Sequence, residues 1–183
     1  MPAFHGDGLI FEETLPVAWS AAPLPAAAEM VRLNADNQQL LGAESTLDDG
    51  RMPEALKDES PALVHELQRL EYKLNIVLRL IADLHLREHG LPPRRPIRLS
   101  SVGLEWFGGD APSGSGLLKV YLNDSLPHAL KIPSVVAGTR RQGDTEVTQL
   151  RFSGMSEAVV ALLDKFIFRH HRRMVAGAKL AAP

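Results

Sequence analysis

The chain has 183 residues and a mass of 20.0 kDa, with 45% hydrophobic and 23% charged residues, a net charge of −2 and no cysteine. This is the balance of an ordinary soluble globular protein, long enough for one elaborated domain or two very small ones. It excludes disulfides, thiolate zinc sites and cysteine nucleophiles. The charge is uneven: residues 1–66 hold 12 acidic and 3 basic side chains, whereas 67–183 hold 10 acidic and 17 basic. Such a chain neutralises itself, within one subunit or between subunits, and with few aromatics it predicts no nucleic-acid partner.

At the N-terminus, Asp7, Glu12 and Glu13 stand where a signal peptide needs basic residues, and the apolar run Leu15–Ala28 is broken by Pro16, Pro23 and Pro25. The most apolar helical stretch contains Arg79 and Asp83, so no membrane insertion is expected. These readings predict a cytoplasmic protein.

In chain order, residues 8–19 open with a short apolar stretch suited to a β-strand, and an Ala/Pro-rich linker follows. A first helix is predicted from about Pro25 to Leu41, ended by Gly42. Its positions Met30, Leu33, Asn37 and Leu40 step by three and four; Asn37 either fixes register among helices or is exposed on a weaker one. Residues 42–59, with Asp48-Asp49-Gly50 and Pro53, are predicted as loop.

The clearest periodicity comes next. Ser60-Pro61 is a good helix start, because serine caps free amides and proline costs nothing at the first helical position. From there Leu63, Leu67, Leu70, Leu74, Val77, Ile81 and Leu84 alternate steps of four and three, until Gly90, Pro92 and Pro93 end the pattern. A repeat of about 3.5 residues keeps one stripe facing a partner helix. A helix packed on its own core is the other reading, but three unbroken heptads favour self-association. Leu78 and Leu80 widen the stripe and point to more than two strands.

After residue 93 the pattern changes to strand. Ile97–Phe107, Leu117–Leu122, Ile132–Ala137 and Val147–Phe152 are β-rich stretches, separated by Gly108-Gly109-Asp110, Asn123-Asp124 and Gly143-Asp144. They predict a small antiparallel sheet or barrel. An amphipathic helix capped by Ser156 ends the chain, with Val159, Leu162, Leu163, Phe166 and His170 on the face that covers an open barrel end. The tail beyond Val175 is expected to fray.

The segment Arg98–Trp106, RLSSVGLEW, resembles the D/N-x-S-x-x-G motif of PilZ domains and its following strand. VTQLRFSGMSEAVVALLDKFI resembles that family's last strand and closing helix. The resemblance covers residues 96–173, and reaches 8–19 if that segment supplies the first strand. It is nearest to a tetrameric subgroup of atypical PilZ proteins with an inserted coiled-coil helix. It implies an α+β fold: a small antiparallel barrel with a C-terminal helix, plus inserted helices forming an oligomeric coiled coil. On this reading residues 1–24 are the first barrel strand and linker, 25–90 the helical insertion and 91–175 the barrel core with its closing helix. Residues 176–183 form a flexible tail.

PilZ domains bind cyclic-di-GMP, and the resemblance implies a role for each motif residue. In the family two arginines stack on guanine and pair with phosphate, and Asp/Asn and Ser bond the guanine edge. Here Ser100 takes the serine position and Gly103 the glycine position, while Arg98 replaces the acceptor with a cation. Arg94 and Arg98 match R-x-x-x-R literally, with Arg95 beside them, but they abut the serine instead of preceding the first strand. That match is read as coincidental, and residues 1–20 contain no arginine. Ser100 and Gly103 are read as holding the strand entry.

The sequence therefore predicts a non-enzymatic regulatory protein with no cofactor, a homotetramer that presents barrel surfaces to a protein partner without strong cyclic-di-GMP binding. The alternative is a direct receptor using Arg94, Arg95, Arg98, Ser100 and Gly103. A remote third reading rests on His85, Glu88 and His89, which match the H-x-x-E-H of inverted zinc peptidases. Solvated helix-end side chains are the default there. The Arg169–Arg173 cluster is explained by a helix C-terminal dipole, or with Arg140 and Arg141 by an acidic or phosphate partner.

Overall fold

The computed structural model describes residues 8–49, 61–110, 112–123 and 128–180. Six strands and three helices follow one another: β1 (Phe11–Ala21), α1 (Ala27–Asp49), α2 (Pro61–His89), β2 (Arg94–Leu99), β3 (Gly103–Phe107), β4 (Ser115–Val120), β5 (Leu130–Gln142), β6 (Thr145–Phe152) and α3 (Glu157–Leu180). The strands close into an antiparallel barrel in the order β1-β2-β3-β6-β5-β4. Alternation fills it. Ile97 and Leu99 of β2, Leu104 and Trp106 of β3, Leu118 and Val120 of β4 and Leu150 of β6 are all 3% exposed or less.

Residues 8–19 do supply the first strand, and it is bent. β1 pairs with β2 from Phe11 to Pro16 and with β4 from Val17 to Ala21. Proline, which cannot donate to a ladder, stands where β1 changes neighbours. The stretch read as one strand from Ile97 to Phe107 is two strands, folded at Ser100–Val102. β5 is longer than expected and also changes partner, from β4 to β6, with a register shift between Val136 and Gly138.

α3 covers one barrel end as the sequence predicts. Val159, Leu163, Phe166 and Ile167 are buried with Phe11, Leu41 and Leu99, and the Ser156 hydroxyl accepts the Val159 amide at 3.3 Å. The helix continues past Val175 to Leu180.

α1 is not ended by Gly42 and runs to Asp49. It packs on α3 and β5, and two asparagines a turn apart tie it to the segment just before α3 and to β5. Asn34 accepts the Ser156 amide and donates to the Gly154 carbonyl. Asn37, 2% exposed, accepts the Lys131 amide and donates to the Lys131 carbonyl, both at 2.9 Å. Lys131 faces β4 on one side and lies before the β6 ladder begins at Ser134, so the carboxamide stands in for a missing strand. This replaces both readings of Asn37: it is neither exposed nor part of an inter-helix seam.

α2 starts at Pro61 and ends at Gly90, whose φ of 67° is the left-handed cap glycine adopts freely. At 29 residues it is about 43 Å long, and among the described residues it makes no extensive contact with any other element. Ser60, the Gly50 and Pro53 loop signals and Asp124 of the predicted turn lie outside the described residues.

Candidate functional site

On β3 the core faces of Leu104 and Trp106 leave Glu105, between them, pointing outward. Its carboxylate is nevertheless only 4% exposed, because neighbouring strands cover it. Pairing aligns Glu12 of β1, Arg98 of β2, Glu105 of β3 and Gln149 of β6 in one row across the outer wall. Arg140 joins them from β5. Arg98 Nε lies 2.8 Å from Glu12, and its Nη1 lies 3.7 Å from Glu105. Arg140 Nη2 donates to both Glu105 oxygens at 3.1 and 3.2 Å, and Gln149 Nε2 donates at 2.9 Å. A buried carboxylate persists only with donors of this kind. Arg98 also lies over Phe107, 5.4 Å from its centroid.

The five motif residues do not converge. Strand alternation places Arg94 and Arg98 on one face of β2 and Arg95 on the other. Arg94 Nη1 donates to the Thr14 carbonyl at 3.1 Å. Arg95 lies over Trp106 at 4.9 Å and bonds Gly109 O and Asp110 Oδ2, both at 3.0 Å, which ties down the β3–β4 loop. The Ser100 hydroxyl, 2% exposed, donates to the Gly103 carbonyl and accepts the Val102 amide, so it is engaged in the turn that joins β2 to β3.

A groove of ≈ 580 Å³ lies between Gly108-Gly109 and the β5–β6 hairpin. Its two arginines, Arg140 and Arg141, are accompanied by Asp144 and Glu146. In the C-terminal cluster His170 lies on the barrel-covering face of α3, where the sequence places it. Its ring packs edge-on to Phe11, with centroids 4.4 Å apart, and Nε2 is 3.6 Å from Glu13. His171, Arg172 and Arg173 are exposed. His85, Glu88 and His89 belong to the last turns of α2, and their side chains lie outside the described residues.

On α2 the seam is open. Leu63, Leu67, Leu70, Leu74, Val77, Ile81 and Leu84 are between 39% and 58% exposed. Leu78 and Leu80 on its flanks are exposed too, as are Tyr72 and Ile76. Sequence reasoning found this stripe but missed Glu12, Glu105 and Gln149. The one available signal was a lone carboxylate inside the apolar strand GLEWF, which implies a buried partner.

A six-stranded barrel capped by its last helix and carrying a long helical insertion is a PilZ-type module. The chain belongs to the atypical PilZ domain family: the family's model, described as a cyclic di-GMP receptor, matches residues 40–180. Its fold is similar to the crystal structure of a pathogenic protein from Xanthomonas campestris, described as a new tetrameric PilZ domain self-assembled via an unusual helical bundle. The two share 26% identity with a TM-score of 0.74, over 93% of this chain and 92% of that one. No curated protein matches. Among the described residues, no helix is long and apolar enough to cross a membrane.

Proposed function

We propose that this chain is a non-enzymatic signalling module that self-assembles through α2, as a tetramer, and offers several barrels at once to a protein partner in the cytoplasm. The observation that carries the reading is the open seam: seven apolar side chains at heptad spacing, on a helix that its own barrel leaves uncovered. A stripe of that length in water is stabilised by association, since each buried leucine contributes about 1.5–3 kcal/mol. The similar Xanthomonas protein, with its helical bundle, supports a tetramer. Several barrels on one assembly turn modest contacts with a partner into avidity.

Replacing Leu74 with Asp places a charge at the middle of the seam. Light scattering should then give the 20.0 kDa mass of a single chain, against a multiple of it for wild type. Equal masses for the two proteins would remove α2 as the interface.

The same proposal holds that cyclic di-GMP binds weakly or not at all. Arg98, at the position of the family's acceptor, is bound to two carboxylates, and the Ser100 hydroxyl is held in a turn. The second reading, a direct receptor using Arg94, Arg95, Arg98 and Ser100, is favoured by the family's description as a cyclic di-GMP receptor. Calorimetric titration of folded wild type separates the two. Saturable micromolar binding that Arg98→Ala abolishes establishes a receptor; no heat at high ligand concentration leaves the interaction module.

A further inference from the structure

We propose that Arg98, Arg140 and Gln149 form an oxyanion cradle on the outer wall of the barrel, and that the chain fills it with its own Glu105 carboxylate. The inference rests on the reading above and names the residue that keeps this face from taking a phosphate. Two hydrogen-bond donors and one further cation, from three strands, converge on one pair of oxygens: Arg140 donates at 3.1 and 3.2 Å and Gln149 at 2.9 Å, and Arg98 is ion-paired at 3.7 Å. Planar guanidinium groups and an amide N–H arranged in this way are what hold a phosphoryl group elsewhere, so Glu105 stands in for a ligand anion.

The layering fits that role. The Glu105 side chain is 4% exposed, whereas those of Arg98 and Arg140 are 30% and 42% exposed. The carboxylate lies beneath and the cations above it, within reach of solvent. Glu12, 58% exposed, takes the remaining edge of Arg98. Two cations and two anions then balance, which weakens the pull of this face on an external anion. The class of ligand excluded is a phosphate monoester, phosphodiester or pyrophosphate.

The test uses Glu105→Ala, which removes the charge and vacates the space that the carboxylate fills. Inorganic pyrophosphate and cyclic di-GMP are titrated separately into full-length wild type and variant at low and raised salt. Wild type is expected to bind neither. The variant should bind pyrophosphate at least about tenfold more tightly than wild type, with affinity that falls as salt rises. Adding Arg98→Gln should abolish the gain. A response to pyrophosphate alone identifies a bare oxyanion site, and a response to both identifies one that also admits a phosphodiester; either supports the cradle.

A folded Glu105→Ala protein that binds pyrophosphate no better than wild type overturns the cradle and leaves the proposed function standing. Arg98-dependent binding of cyclic di-GMP by wild type overturns the weak-affinity reading instead. If Glu105→Ala does not fold, Glu105→Gln takes its place, removing the charge and keeping the shape of the side chain, with an expected gain of about threefold. No gain there also overturns the proposal.

Discussion

Asn37 bonds the backbone of one residue with both ends of its carboxamide, accepting the Lys131 N–H and donating to the Lys131 carbonyl. Its replacement by alanine would strip the Lys131 N–H and carbonyl of their partner in a partly buried site. A cost of about 2–3 kcal/mol is expected in urea unfolding, with the mass of the assembly unchanged. Nothing in the sequence distinguishes this asparagine from a seam residue, because its value depends on a strand that lies 94 positions away. The same holds for Glu105. Its partners come from β2, β5 and β6, and only the pairing register sets Arg98 and Gln149 beside it. Ser156 was legible because a cap acts within its own turn.

At the scale of elements, local period separates the helices that could be read from the one that could not. The heptads of α2 and the inward face of α3 recur along a single helix and need no partner to be recognised. α1 docks through asparagines and a few apolar contacts, so its pattern misplaced both its end and its neighbour. The strands were located by composition, but the fold between β2 and β3 was hidden in a continuous β-rich stretch. Gly116 shows what such stretches conceal. A Cβ there would fall 2.5 Å from the Ser20 carbonyl and 2.6 Å from the Trp19 ring. Gly116→Ala should therefore part β4 from β1 and cost about 1–3 kcal/mol, with the near-ultraviolet dichroism of Trp19 altered.

For the whole molecule, an interface on α2 makes stability depend on protein concentration. The thermal midpoint of wild type should rise with concentration, as it does for any native state favoured by association. The Leu74→Asp midpoint should stay constant over the same range. A constant midpoint in wild type would count against assembly under those conditions. The barrel was legible at this scale as a succession of short strands with a closing helix. Its closure by β1 could be placed only through the family resemblance, since residues 8–19 lie far in sequence from every strand they touch.

That distance has a consequence for how the molecule forms. β1 leaves the ribosome first, yet its neighbours β2 and β4 follow only after residues 22–93 have been made. Each doubling of such a loop adds only about 0.6 kcal/mol to its closure, so the finished barrel tolerates the insertion, but the search for long-range pairs slows folding. α2, which needs no distant contact to form, is complete while β1 still waits for its neighbours. Chains that meet through α2 at that moment hold several unpaired first strands close together, and any of them can complete a neighbour's barrel. On the proposed assembly through α2, the order of synthesis makes exchange of β1 between subunits the misassembly to expect.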